Sequence, residues 1–265
     1  MVYIKPKKSL GQHFLKDKNV AEKIVKSLKA DNIKKVLEIG PGKGILTKLL
    51  LERPGLQIYA IEIDRLSVEY IISIIPEIRQ NIFHEDFLKF DLKYQFKEPI
   101  AIIGNFPYNI SSQILFKVLE SKDIITEVVC MVQKEVAERI VSGSGSKKYG
   151  ILSVLIQAYY DVKSLFIVNR TVFSPPPKVT SAVIRLTRNS EKDLKCNEEL
   201  FFKLIKTAFN QRRKILRNSL KSILLNLEVD NNILTKRPEQ LSVDEFVYLT
   251  NIIEQKLETK NKEYK

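Results

Sequence analysis

The chain has 265 residues, enough for one large domain or two smaller ones. It is 44% hydrophobic and 28% charged, which excludes a disordered chain, and no apolar run reaches the roughly 18–20 residues of a membrane span. Two cysteines and two histidines exclude a disulfide framework and a zinc cluster. Met1 to Leu15 carries lysines with no long apolar stretch after them, so a secretory signal is not expected and a reducing, cytoplasmic setting is. The net charge is +13, and its distribution is uneven. Residues 1–35 carry 10 basic and 3 acidic side chains, and residues 188–222 carry 10 and 4. The long middle is nearly neutral. A neutral body with two basic blocks suits a core with a polyanion footprint, although solvated charged faces would look the same.

In chain order, Val20, Ile24, Val25 and Leu28 have helical spacing and predict an amphipathic helix over 18–30. Val36–Ile39 reads as a short buried strand, Gly40–Gly44 as a turn, and Ile45–Leu51 as a helix. Strands follow at Ile58–Glu62, at Ile82 to Asp86, at Ile100–Gly104 and at Thr126–Gln133. Helices at Leu66–Ile75 and Ser111–Leu119 lie between them, the second with Ser111 or Ser112 as N-cap. This alternation predicts an α/β fold, a doubly wound parallel sheet covered on both faces. Helices are expected near Lys134–Val141 and Tyr149–Ala158, separated by a basic, flexible loop ending in Lys147 and Lys148. Two more strands, 162–168 and 179–187, flank a proline-rich connector, Phe173–Lys178. Polarity rises after Arg188, which places a boundary between a first domain, 1–188, and a small all-helical one, 189–265, with helices at Leu200–Ala208, Lys214–Leu225 and Val243–Leu257.

Two motifs carry chemistry. The first is Glu38-Ile-Gly-Pro-Gly-Lys-Gly44, at the end of the first strand. Its glycines allow the backbone to approach a ligand at the start of the next helix. A nicotinamide fingerprint needs glycine or alanine where Ile45 stands, so the spacing suits a cofactor without a pyrophosphate, one whose charged part is an amino acid. Glu62 and Asp86 at successive strand ends can meet ribose hydroxyls and an adenine amine; the glycine turn alone would fit any α/β protein.

The second motif is Asn105-Phe-Pro-Tyr108. An exocyclic adenine amine is a poor nucleophile, because its lone pair is delocalised into the ring. It needs acceptors for its two hydrogens, and the Asn105 side-chain oxygen and the Phe106 carbonyl can serve. Pro107 fixes the backbone and Tyr108 can stack on a base. Taken alone, the tetrapeptide also fits a surface turn.

Together these residues resemble the S-adenosylmethionine-dependent ribosomal RNA adenine N6,N6-dimethyltransferases, the type whose loss gives kasugamycin resistance. The resemblance runs from about Lys8 to about Ile253. Its most specific parts are Ser9-Leu-Gly-Gln-His-Phe-Leu15 and Phe209-Asn-Gln-Arg-Arg-Lys214, joined by Phe173-Ser-Pro-Pro-Pro-Lys-Val179 and Arg237-Pro-Glu-Gln-Leu-Ser242. The resemblance implies a Rossmann-like methyltransferase sheet and S-adenosylmethionine as cofactor. It implies His13, Leu15, Gly40, Glu62, Asp86 and Asn105 as the cofactor set, Asn105, Phe106, Pro107 and Tyr108 as the target-amine site, and Phe173 as a second stacking residue. Two positions depart from the family pattern: His13 stands where Asn is common, and Phe106 where Leu is common. His84, Cys130 and Cys196 have no motif around them and read as structural.

The implied substrate is a pair of adjacent adenines near the 3′ end of 16S ribosomal RNA, in the small (30S) ribosomal subunit, with the enzyme acting as a monomer. Lys5, Lys7, Lys8, Lys147, Lys148, Arg212, Arg213, Lys214 and Arg217 become candidate phosphate contacts, the four from Arg212 to Arg217 on one helix. Alternatives are the macrolide-resistance enzyme that methylates large-subunit RNA, a non-enzymatic RNA-binding assembly factor, and a DNA adenine methyltransferase.

Overall fold

A computed structural model of the chain describes residues 4–189, 194–224, 229 and 232–263. The chain folds into two compact units. The first comprises Met1–Ala137 and Asp161–Arg188, and the second Glu138–Tyr160 and Asn189–Lys265. The division at 188 coincides with the rise in polarity. The segment Glu138–Tyr160, however, belongs with the second unit rather than within a continuous first domain.

The first unit opens with a two-residue strand, β1 (Phe14–Leu15), and helix α1 (Lys18–Ser27), capped by the Asp17 carboxylate on the Val20 amide at 3.0 Å. Then β2 (Lys35–Ile39), α2 (Ile45–Leu51), β3 (Gln57–Glu62), α3 (Arg65–Ile74), β4 (Ile82–His84), the short α4 (Leu92–Gln95), β5 (Ile100–Asn105), α5 (Ser111–Glu120) and β6 (Ile125–Gln133) alternate. After α6 (Lys134–Val141) and α7 (Ile151–Tyr159) come β7 (Tyr160–Val168), β8 (Phe173–Ser174) and β9 (Ser181–Arg188).

The seven-stranded sheet has the order β4-β3-β2-β5-β6-β9-β7. Strands β4, β3, β2, β5 and β6 are parallel. β9 runs antiparallel to β6, so the sheet is mixed and the all-parallel expectation fails at that edge. The connection from β6 to β9 passes through α7 and β7, and strand patterning carries no sign of direction. Ile100, Ala101, Ile102 and Ile103 of β5 and Val128 to Val132 of β6 are fully buried, as strands covered on both faces require. Each large aliphatic side chain buried there contributes roughly 1.5–3 kcal/mol. β1 and β8 form a separate antiparallel ribbon, with Leu15 opposite Phe173.

Several local expectations change. β4 ends at His84, so Asp86 lies two residues past it. α5 is capped by Ile110, with no side-chain cap, and Ser111 is its first residue. In the second unit, α8 (Glu198–Asn210) is followed by a turn. The helix expected over Lys214–Leu225 is two short ones, α9 (Leu216–Ser219) and α10 (Lys221–Leu224), with Leu225 outside the described residues. Arg212, Arg213 and Lys214 therefore sit in the turn and only Arg217 on a helix. α11 (Val243–Glu263) ends the unit. Among the described residues no helix is long and apolar enough to cross a membrane.

Two buried acids staple the sheet to its helices. Glu127 on β6 is 3% exposed and accepts from the Lys29 and Ala30 amides at 3.0 and 2.7 Å, holding the turn after α1, where Ala30 has φ +54°. Glu38 on β2 accepts from the Thr47 hydroxyl of α2 at 2.6 Å, and burial pushes its carboxyl up to about 8 against the opposing Thr47 bond. Replacing Glu127 by Gln keeps the volume and removes the charge from two amides; denaturant unfolding is expected to show a loss of about 1.5–3 kcal/mol. Glu38 gives a pH signature. Between the unfolded value near 4.5 and about 8 the folded chain holds a proton that the unfolded chain has lost. Stability should therefore fall as pH rises through this window. Glu38→Gln should lack that component, on the order of 4 kcal/mol, when melting curves at about pH 5 and about pH 8.5, near the two ends of the window, are compared.

Candidate functional site

The sheet reverses its order between β2 and β5: the chain moves outward through β3 and β4, then returns to β5. Loops from neighbouring strands diverge at such a point and leave a crevice at the carboxyl ends. Those ends are Ile39 followed by Gly40, Glu62, and Asn105.

Gly40 has φ +66°, and a Cβ there would meet nothing within 4 Å. Its left-handed backbone excludes most side chains, and the space above it is open to a ligand. One residue before the crevice, a Cβ on Gly104 would stand 2.6 Å from the Ile39 carbonyl, so β2 and β5 meet there backbone to backbone. Glu62 is 6% exposed. Its Oε1 accepts from the Asp64 amide at 2.9 Å, and burial raises its carboxyl while the amides of Asp64, Gly42 and Ile63 oppose the rise. Asp64 is buried too. Burial pushes its carboxyl up, but the Lys7 ammonium at 2.6 Å and the Ser67 hydroxyl at 3.0 Å outweigh it and hold it below the usual range.

At the other wall, Asn105 Nδ2 donates to the His13 carbonyl at 2.9 Å. Its Oδ1 is buried and has no hydrogen-bond partner. The Phe106 ring is 1% exposed and belongs to the core, and its amide donates to the Met131 carbonyl at 3.0 Å. The turn that follows uses other carbonyls: Ile110 N–H goes to Pro107 at 3.2 Å and the Ser111 hydroxyl to Tyr108 at 3.3 Å. The Tyr108 hydroxyl hydrogen-bonds Ser181, and the His13 ring stacks on the Tyr108 ring with centroids 5.4 Å apart. His13 Nδ1 is 2.8 Å from the Pro175 carbonyl.

The cleft brings together His13, Gly40, Glu62 and the tetrapeptide Asn105–Tyr108. Leu15 lines an adjoining cleft with Glu38, Gly40 and Asn105. Asp86 and Phe173 line neither. Asp86 turns one carboxylate oxygen onto the Leu88 amide at 3.0 Å, and Phe173 of β8, 1% exposed, packs into the hydrophobic core. Its ring is thus not presented to a base in this structure. Gly42 of the glycine motif lines the cleft too, and so do Gly11, Gln12 and Phe14, which were not singled out one by one. The Ser9–Leu15 block pointed at the segment but not at these side chains.

The basic residues divide. Lys5, Lys8, Lys147, Arg213, Lys214 and Arg217 are exposed. Lys7 is paired with Asp64, and Lys148 with Glu138 at 2.6 Å. Arg212 donates to the Lys147 carbonyl at 2.6 Å and lies 3.7 Å from the Glu239 carboxylate, so it braces the 142–148 loop.

The family model described as "Ribosomal RNA adenine dimethylase" matches residues 4–255. A protein of Bacteroides thetaiotaomicron named "Ribosomal RNA small subunit methyltransferase A" is 53% identical over 98% of both chains. One of the same name from Flavobacterium johnsoniae is 54% identical over 96% of this chain and 98% of its own. The crystal structure of a dimethyladenosine transferase from Plasmodium falciparum superposes with a TM-score of 0.76 at 27% identity, covering 92% of this chain and 98% of that one. A 23S rRNA methyltransferase, ErmE, gives 0.66 at 25% identity, covering 90% and 99%. A match over nearly the whole chain, with half the residues identical to its curated relatives, makes this protein a member of the ribosomal RNA adenine dimethylase family.

Proposed function

We propose that this enzyme transfers two methyl groups in turn to N6 of each of two adjacent adenines, in a loop near the 3′ end of 16S ribosomal RNA within the 30S subunit. The observation that carries the chemistry is the unpartnered, buried Oδ1 of Asn105, whose amide nitrogen is already committed to the His13 carbonyl. A buried acceptor without a donor is costly, and an incoming N6–H removes that cost. With the Phe106 carbonyl as second acceptor, the amine nitrogen becomes more tetrahedral and its lone pair is released for attack. No strong base is required, because the proton becomes acidic only once the new bond has formed. Positioning and electrostatics supply the rate.

S-adenosylmethionine is the methyl donor in this reading, and its sulfonium makes that methyl electrophilic. The residues present fit it: Glu62 can accept ribose hydroxyls, Gly40 leaves open space beside its backbone, and Leu15 supplies an apolar wall. Asp86 gives one carboxylate oxygen, Oδ1, to the Leu88 amide, and its second oxygen can accept from an adenine amine.

The small-subunit assignment rests on the likeness to relatives that carry that name at 53–54% identity, well above the 25% of the large-subunit enzyme. Lys5, Lys8, Lys147, Arg213, Lys214 and Arg217 supply phosphate contacts, the helical unit helps dock the subunit, and the reaction takes place in the cytoplasm. The target adenine leaves its stack to enter the cleft, which is cheapest in a loop.

The decisive experiment offers labelled S-adenosylmethionine with 30S subunits lacking the modification, and 50S subunits and DNA in parallel. Dimethyladenine at two neighbouring 16S positions is the expected product; label confined to 50S subunits would transfer the enzyme to the large-subunit class. Asn105→Ala is expected to lower kcat by about 100-fold or more while cofactor affinity changes by less than about tenfold. Methylation by that variant near the wild-type rate would remove the acceptor role.

A further inference from the structure

The N-terminal segment 7–14 crosses the cleft and is fastened on both sides of it. On the cofactor side the Lys7 ammonium meets Asp64 at 2.6 Å, and Asp64 is joined through its own amide to Glu62. On the amine side the His13 carbonyl holds the Asn105 amide at 2.9 Å and its ring stacks on Tyr108. Between these ties the Lys7 amide donates to Gln12 Oε1 at 2.9 Å. Gly11 also packs so close to Asn109 that a Cβ would lie 2.5 Å from its Oδ1.

The two partners of the Lys7–Asp64 tie are unequally buried. Asp64 has a side chain only 1% exposed, whereas that of Lys7 is 44% exposed. An exposed ion pair counts for little, but removing one partner from a buried carboxylate leaves that carboxylate uncompensated. The cost falls on the closed arrangement, in which the buried Asp64 carboxylate accepts from Lys7.

We propose that Lys7 is a positioning residue, a latch whose ion pair with Asp64 holds the 7–14 strap closed and thereby fixes which way the Asn105 amide faces. Of the two ends of the Asn105 amide only Nδ2 can donate to the His13 carbonyl, so with the strap seated Asn105 must present Oδ1, not Nδ2, to the target amine. With the strap loose, the amide is free to turn over and present a donor where an acceptor is needed. Lys7 therefore acts on the reaction through Asn105 and not through RNA phosphates. The inference deepens the proposed function and rests on it for the catalytic readout alone.

The test compares Lys7→Met, Lys7→Arg and Lys8→Met in the full-length protein. Hydrogen exchange of the Asn105 side-chain amide, which donates to the His13 carbonyl of the strap, reports strap opening without cofactor or RNA. Lys7→Met should speed that exchange about tenfold, weaken binding of S-adenosylhomocysteine about tenfold in calorimetry, and lower kcat more than it raises KM for 30S subunits. Lys7→Arg should restore all three. The salt dependence of RNA binding should be unchanged by Lys7→Met, while Lys8→Met should lower its slope by about one. Unchanged exchange in Lys7→Met, or a slope lowered as in Lys8→Met, would overturn the latch and return Lys7 to the phosphate contacts. Should the wild type methylate no RNA, the exchange comparison still decides the latch, so the two readings fail separately.

Discussion

A single hydrogen bond, from the Asn105 amide to the His13 carbonyl, joins parts of the chain 92 residues apart and gives the cleft its polarity. An amide side chain has a donor end and an acceptor end of nearly identical shape, so sterics alone cannot orient it. Here orientation comes from a backbone carbonyl carried in by the N-terminal segment. The β1–β8 ribbon, the His13–Pro175 contact and the Lys7–Asp64 pair all keep that carbonyl in place. The sheet's contribution is to bring Asn105 to the end of β5 at the point of strand reversal, next to Gly40 and across from Glu62.

Much of the fold was legible in the sequence because the five parallel strands are short apolar runs that end in chemically distinctive residues. Gly40, Glu62 and Asn105 mark the carboxyl ends of β2, β3 and β5, and a ligand-binding crevice follows from them almost by topology. The direction of β9 was not legible, because alternation of side chains is the same read either way. Nor was the break between α9 and α10: Leu216, Leu220 and Leu224 keep helical spacing through it, and the interruption at Leu220 is a backbone event that no side chain announces.

Within the site, residue type revealed what a side chain can do but not what it is already doing. Lys7 and Arg212 look in the sequence like any other base in a basic block. Their partners, Asp64 and the 147–239 pair of contacts, lie far along the chain, and only folding shows the charge to be engaged. Phe173 belongs to the same class, an aromatic in a proline-rich segment whose ring turns inward. Asp86 shows a finer limit. An acid near a strand end is a candidate for an adenine, but Asp86 lies past the end of β4, and one of its two carboxylate oxygens already accepts from the Leu88 amide.

The contact between Gly104 and the Ile39 carbonyl has a consequence for how this scaffold can change. Because β2 and β5 approach there through main chain alone, the width of the crevice at its base is fixed by backbone geometry, and no substitution at Gly104 can narrow it without prising the two strands apart. Variation in what the cleft accepts is thereby confined to its rim, to the strap, the ribbon and the tetrapeptide. Such a division tells an engineer seeking a new target where mutagenesis has room to work.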